Sequence, residues 1–379
     1  MKAVALVDGE HAPAVVRRAL AELPYDWAGV ILVGGAEKLR GTPDYGVPLL
    51  DGFCEAEVVV DLSDEPILDP AARMRWASRA LAAGLSYVGA DFRFDPPEYA
   101  PWERPPLSLA VIGTGKRVGK TTVAGHTARV LADELDVVVV AMGRGGPDEP
   151  ELVETAPSVD ELVQLSREGR HAASDHLETA AVYGVPAIGC RRAGGGLAGR
   201  VFVSNVLEGA RLAAERRPDV VVFDASGTAI PPVEVDRRVL VVGPDDDLDA
   251  GFALYRRLVS DIVVCVGGGR PDALAAETRL RALEQPTGRI AVFTAGDADA
   301  SEIGGDVVHV SRNLGNRDAL RAELDGLDAD TYVLELKGAA VDLVAEHALA
   351  RGARVVLAAN DVFSPELDEA LLALAPVPA

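Results

Sequence analysis

Lysine is almost missing from this sequence. Only Lys2, Lys38, Lys116, Lys120 and Lys337 occur among 379 residues, so arginine supplies the other 32 of the 37 basic side chains. Those 37 face 59 acidic residues, a formal charge of −22 at pH 7. A surplus of that sign repels phosphodiester backbones and anionic lipid headgroups, which argues against nucleic-acid and membrane partners. Cysteine is equally sparse. Cys54, Cys190 and Cys265 are too few for a disulfide framework and too scattered for a zinc site, and point to a reducing cytoplasm. No apolar run approaches the roughly 20 residues that span a bilayer. The opening Met1-Lys2-Ala3-Val4-Ala5-Leu6-Val7-Asp8 reads as a strand rather than a signal peptide.

What remains is an ordinary globular balance, 49% apolar, over a length that suits two or three domains. Short β-branched runs alternate with Ala-, Leu- and Arg-rich helical stretches, the pattern of βα units that build mostly parallel sheets. In residues 1–92 the strands are Ala3–Val7, Gly29–Val33, Glu57–Leu62 and Leu85–Val88, with helices at Ala14–Leu23 and Pro70–Ala83, a smaller Rossmann-like α/β domain. Residues 93–106 are rich in proline and aromatics and read as a linker. From Leu107 the alternation restarts, takes in a strand at Val201–Ser204, and closes with a βαβ unit at Tyr332–Leu336, Ala339–Ala350 and Arg354–Ala358. Residues 107–379 are thus expected to form one catalytic domain whose tail, from Ala373, is frayed.

The strongest signal lies where that domain begins. The strand Leu107–Ile112 runs into Gly113-Thr114-Gly115-Lys116-Arg117-Val118-Gly119-Lys120-Thr121-Thr122, and a helix follows. Strand, glycine-rich loop and helix is the setting of a P-loop, in which backbone N–H groups and the helix N-terminus cradle a β-phosphate. Lys120 would bridge the β- and γ-phosphates of ATP, and the Thr121 hydroxyl would ligate Mg²⁺. Thr114 stands where a strict pattern has glycine; in this the loop looks like that of dethiobiotin synthetase and its relatives. Asp224 ends the apolar strand Val220–Asp224, placed either to hold the Mg²⁺ shell or to cap the turn Ala225–Thr228.

Anion-binding candidates follow other strands. Arg144 sits among Gly143, Gly145 and Gly146, where the backbone can approach an anion that the guanidinium grips. Behind it, Glu149 either reaches the metal or joins Asp148 and Glu151 in the first turn of a helix opening near Pro147. Gly169–His176 supplies either an acid–base pair or a helix cap. Arg191 and Arg192 precede the run Gly194-Gly195-Gly196, and Cys190 beside them reads as a small buried residue rather than a nucleophile. Lys337 lies at a strand's C-terminal end, where open α/β sheets hold ligands. The catalytic candidates are therefore Lys120, Arg144, Arg191, Arg192 and Lys337.

Taken together, Leu6–His11, Gly113–Thr122, Ala141–Pro147, His171–His176 and Gly189–Arg192 resemble cyclic 2,3-diphosphoglycerate synthetase, in the same P-loop branch as dethiobiotin synthetase. The resemblance spans nearly the whole chain. It implies ATP-dependent closure of the two phosphates of 2,3-diphosphoglycerate into an internal pyrophosphate, with release of ADP and phosphate, in a homodimeric cytoplasmic enzyme. It further implies that Lys120, Thr121 and Asp224 handle ATP and Mg²⁺, while Arg144, Arg191 and Arg192 clamp the substrate phosphates. Two other readings share the loop: a dethiobiotin-synthetase-like ligase or kinase acting on another small anion, and a nucleotide-switched regulatory ATPase.

Overall fold

The computed structural model describes residues 1–296 and 299–375, which divide into two units. The first comprises Met1–Glu98 together with Asp247–Val259. Its strands β1 (Lys2–Val7), β2 (Asp26–Leu32), β3 (Val58–Asp61), β4 (Ser86–Val88) and β5 (Arg93–Phe94) lie in the order β2-β1-β3-β4-β5. The first four are parallel. β1 has a neighbour on each side and is buried from Ala3 to Val7, which is why its run shows no polar alternation. Helix Pro70–Ala82 starts with proline at its first position, and the Asp69 carboxylate before it accepts from the Ala72 N–H at 2.7 Å. Helix Ala253–Leu258 packs against it. Aromatic packing decides the fate of the proline-rich stretch. Phe94 meets Phe92 and Phe252, with ring centroids 6.0 and 5.3 Å apart, and draws Arg93–Phe94 into this unit's sheet.

The second unit, Tyr99–Asp246 with Ser260–Ala379, carries the phosphate loop. Its strands are β6 (Leu107–Gly113), β7 (Val137–Gly143), β8 (Glu151–Val153), β9 (Ala187–Ala193), β10 (Val203–Ser204), β11 (Val220–Asp224), β12 (Arg237–Val242), β13 (Ile262–Val266), β14 (Leu274–Ala282), β15 (Arg289–Phe293), β16 (Asp306–Ser311), β17 (Thr331–Glu335) and β18 (Arg354–Phe363). They make one sheet in the order β10-β9-β7-β11-β6-β12-β13-β14-β18-β17-β15-β16, with β8 added to β9. Neighbours are parallel except where β8 and β10 meet β9 and where β14 meets β18. The antiparallel β14–β18 join fuses two parallel halves into one sheet.

Several elements differ from their sequence reading. Val201–Ser204 shrinks to the two-residue edge strand β10. No helix opens near Pro147; Glu151 instead begins β8. Arg191 and Arg192 lie on β9, where the sequence reading marks no strand. The closing helix starts as a π-helix, Ala340–Ala345, before continuing as Glu346–Ala350. Of the tail expected to fray, Ala373 and Leu374 end helix Pro365–Leu374, and residues 376–379 lie outside the described residues.

Helix Asp175–Tyr183 is held at both ends by rings that fill the space over glycines. The His176 ring covers Gly189 on β9, so a Cβ there would come within 2.5 Å of it. The Tyr183 ring covers Gly125 on helix Lys120–Ala132, where a Cβ would meet it at 2.1 Å. Gly189→Ala should therefore cost roughly 1–3 kcal/mol, read as a lower urea midpoint at unchanged slope. An unchanged midpoint would mean that the helix is not held there. Burial also drives the His176 imidazole down to about 4. Its neutral form is favoured in the folded chain, so this stability is fully present above the ordinary value near 6.5 and is lost as pH falls towards 4. The loss by pH 4 should be on the order of 3 kcal/mol, and His176→Leu should flatten the urea midpoint over that interval.

Candidate active site

One row of paired residues sets the level at which the site begins. Asp224 on β11 lies opposite Val111 on β6 and Ala141 on β7, and Ala141 lies opposite Gly189 on β9. Just beyond this row lie the phosphate loop after β6, Ala225–Gly227 after β11, Gly143–Gly146 at the end of β7, and Cys190–Arg192 still on β9. A cavity of 510 Å³ opens there. Its floor is the phosphate loop, with Lys116, Arg117, Gly119, Lys120, Thr121 and Thr122 on its wall.

The loop adopts the shape that its glycines permit. Gly119 has φ +91° and caps helix Lys120–Ala132, whose first N–H groups face the cavity end. Gly113 must lack a side chain because a Cβ would press on Lys120 Cδ at 2.7 Å. Lys120 is buried, and its ammonium turns back to donate to the Gly115 carbonyl. Thr114, the departure from the strict pattern, donates its hydroxyl to Asp246, which also accepts the Gly243 N–H at 2.8 Å. A glycine at 114 would leave that carboxylate with one fewer donor, so the threonine ties the loop to the end of β12.

Asp224 is 1% exposed, and neither of its carboxylate oxygens has a hydrogen-bond partner of good geometry. Burial, then the nearby charge of Asp175, holds its carboxyl well above the ordinary range, while the Thr121 hydroxyl and Lys120 ammonium oppose the shift. Burial likewise lowers Lys120, against the pull of Asp224 and Asp175. A buried carboxylate with open lone pairs beside a threonine hydroxyl suits a hard divalent cation that takes its remaining oxygens from phosphate and water. No group of three or more His, Cys, Asp or Glu side chains among the described residues could hold a metal by itself. The donor set therefore fits Mg²⁺ brought with a nucleotide. Glu149, the third metal candidate, is exposed and does not line the cavity.

The facing wall comes from the C-terminal part of the unit. Glu335 accepts the Thr294 hydroxyl at 2.9 Å, the Ala295 N–H at 2.6 Å and the Asn360 amide at 2.6 Å. These bonds hold Ala295 and Gly296 against the cavity. Lys337 lies 3.1 Å from Glu178 and 3.8 Å from Glu335. Burial opposes its charge, but Glu178, Glu335 and Asp175 outweigh that and keep it protonated. Burial pushes the Glu178 carboxyl up to about 7, against the attraction of Lys337. Asp175 lines the cavity from the start of the held helix. Sequence reasoning weighed its segment only as an acid–base pair or a cap. The signal missed was a second acid, Glu178, three residues on and so on the same helix face.

The arginines separate. Arg144 lines the cavity and forms no hydrogen bond or ion pair among the described residues. Its guanidinium and that of Arg192 converge on Gly227, 2.5 and 3.2 Å from where a Cβ would stand. Arg192 is held there by the carbonyls of Ser226 and Gly194, each at 2.8 Å. Burial and then the Arg144 charge make its protonated form less favourable than usual. An anion between the two would relieve that repulsion. Arg191 instead pairs with Asp148 and stays out of the cavity lining. Cys190 is 1% exposed, and burial pushes its thiol up to about 12, so it is no nucleophile at neutral pH.

Comparison with known proteins identifies the family. Residues 108–292 match the P-loop domain of cyclic 2,3-diphosphoglycerate synthetase, 298–361 its C-terminal domain and 52–95 its N-terminal domain. The curated cyclic 2,3-diphosphoglycerate synthetase of Rubrobacter xylanophilus is 45% identical, covering 99% of this chain and 97% of the relative. The proteins of that name from Pyrococcus horikoshii and Methanothermobacter thermautotrophicus are 38% and 34% identical, over 93% and 98% of this chain and 91% and 95% of their own lengths. Among solved structures, LpxK of Aquifex aeolicus matches 74% of this chain and 91% of its own at 12% identity and a TM-score of 0.46, a distant likeness. With all three domain types in order and relatives alike over nearly their whole length, this chain belongs to the cyclic 2,3-diphosphoglycerate synthetase family.

Proposed function

We propose that this chain uses ATP to join the two phosphates of 2,3-diphosphoglycerate into a cyclic pyrophosphate, releasing ADP and phosphate. The observation that carries this reading is the charge of the cavity. In a chain of net charge −22, Lys116, Arg117, Lys120, Arg144 and Lys337 all open on one space of 510 Å³. Two polyanions must approach there, and only a local concentration of fixed cations offsets their repulsion. Lys120 and the loop N–H groups take the β- and γ-phosphates. Arg144 and Lys337 take the substrate phosphates, and Arg192, converging with Arg144 on Gly227, adds its charge beside them. Arg191, paired elsewhere, is left outside this assignment. Mg²⁺, held by Thr121 and Asp224 with nucleotide oxygens and water, would neutralise charge developing between the β- and γ-phosphates.

The proposed sequence has two displacements. An oxygen of one substrate phosphate attacks the γ-phosphorus, and ADP leaves. An oxygen of the other substrate phosphate then attacks the substrate phosphorus so activated, closing the ring and expelling orthophosphate that contains the original γ-phosphorus. Neither step needs a covalent bond to the protein, only in-line positioning and fixed positive charge. The carboxylates around Lys337 keep its ammonium in place until the phosphates arrive.

We also place the enzyme in the cytoplasm as a homodimer. The three cysteines are free thiols, and among the described residues no helix is long and apolar enough to cross a membrane. The hairpin leading into β10 exposes Leu197, Phe202 and Val203 at the sheet's edge, an apolar margin that a second copy would cover.

³¹P NMR of the protein with ATP, Mg²⁺ and 2,3-diphosphoglycerate should show the monoester signals giving way to pyrophosphate-type resonances in step with ADP and phosphate. Lys120→Ala should lower that rate by roughly 100-fold or more. ATP consumption that leaves the diphosphoglycerate unchanged would refute the substrate assignment. With γ-³²P-ATP, label should appear only in orthophosphate; label in the cyclic product would overturn the order of displacements.

A further inference from the structure

A second cavity of 270 Å³ adjoins the first, lined in part by the Gly169–His176 segment. Its charged lining is Arg170, His171, Arg317 and Asp342. His171 and Ala173 belong to both cavities. So do neighbours in sequence: Lys337 faces the first and Gly338 the second. Gly338, at φ +54°, packs so tightly that a Cβ would stand 2.3 Å from the Leu314 carbonyl oxygen, which keeps this wall thin and bare. Two arginines against one aspartate line this pocket, in a chain where acids outnumber bases.

Both arginines already hold carboxylates at the pocket's edge. Arg317 pairs with Asp342, and Arg170 with Glu151. Their side chains are about half exposed, 48% and 45%, so either pair can exchange its partner for an incoming acid without opening the core. Both also hang from anchored backbone. Arg317 begins helix Arg317–Leu324, capped by the Asn316 side-chain Oδ1 accepting from the Ala319 N–H, and the Arg170 N–H donates to the Leu165 carbonyl at 3.0 Å.

The chemistry of the proposed reaction decides which anion belongs here. The substrate carries three anionic groups, and both phosphates must lie at the reacting centre because both become part of the ring. The carboxylate is the group left over, and it must point away from the phosphate loop. We propose that the second cavity is the carboxylate subsite, in which Arg170 and Arg317, with His171 at the shared wall, bind that group and so select a phosphorylated acid over the corresponding alcohol. This rests on the function proposed above.

The test compares 2,3-diphosphoglycerate with glycerol 1,2-bisphosphate, in which a hydroxymethyl group replaces the carboxylate. Both are titrated calorimetrically against wild type and against Arg170→Met, Arg317→Met and the double variant. Wild type should bind the acid roughly 10- to 100-fold more tightly. Each single variant should lose part of that preference and the double variant nearly all of it, with ATP affinity unchanged. The singles decide the matter if the double variant does not fold. Equal affinity of wild type for the two ligands would overturn the subsite, as would variants that keep the full preference or weaken both ligands alike. Because binding is read without turnover, a preference that disappears in the variants upholds the subsite even if no cyclic product forms. Wild type that binds neither ligand sinks both proposals.

Discussion

Parallel register is the constraint on which the site depends. Val111, Asp224, Ala141 and Gly189 lie in one row across β6, β11, β7 and β9. Because these strands run in the same direction, their C-terminal ends lie along one edge of the sheet, where residues of the phosphate loop, Gly143–Gly146 and Ala225–Gly227 line a single space. A slip of one residue would turn Asp224 to the other face of the sheet and leave the phosphate loop without its acid. The row is secured from outside the sheet as well. His176 over Gly189 and Tyr183 over Gly125 fix the helix that brings Asp175 to the cavity and Glu178 to Lys337.

Charge forms the second layer. The cavity's main ionisable groups occur as partly compensated sets in little water: Lys120 with Asp224, and Lys337 with Glu178 and Glu335. Burial raises the carboxyls of Asp224 and Glu178 and lowers the Lys120 ammonium, while Lys337 has enough acid around it to stay charged. Such sets contribute little net stability, since desolvation offsets much of the attraction. They do hold fixed charges in a water-poor space, where an arriving phosphate or divalent cation interacts with them strongly. Arg144 and Arg192 follow the same logic with opposite sign: two cations held close with no acid between them repel, and an anion there would relieve the repulsion. The acidity of the rest of the chain makes this concentration of cations more selective.

Much of this was legible from local chemistry. The phosphate loop announced itself because glycine spacing, Lys120 and Thr121 are local requirements of one backbone shape, and the strand and helix on either side are periodic. Asp224 could be read because a fully apolar run ending in an acid is a buried strand with a polar tip. The role of Arg191 and Arg192 was not, because adjacent residues on a strand point to opposite faces. Only the fold shows that one turns to Ser226 and the other to Asp148. Glu149 stands exposed and outside the cavity lining, on a loop that leads into β8 rather than a helix. Arg93–Phe94 looked like linker because prolines lie near by, whereas Phe252, one of the two rings that recruit it, is distant in sequence.

The sequence by itself determined the alternation of strands and helices, the phosphate loop, the family and the paucity of lysine, since each follows from composition or from contacts within about ten residues. Tertiary structure alone decided which cations share the cavity, that Lys337 is held by Glu178 from 159 residues earlier, and that Arg170 and Arg317 line one pocket. Those juxtapositions arise from sheet register and from helices packed on glycines. Both are set by long-range steric fit rather than by the identity of neighbouring residues.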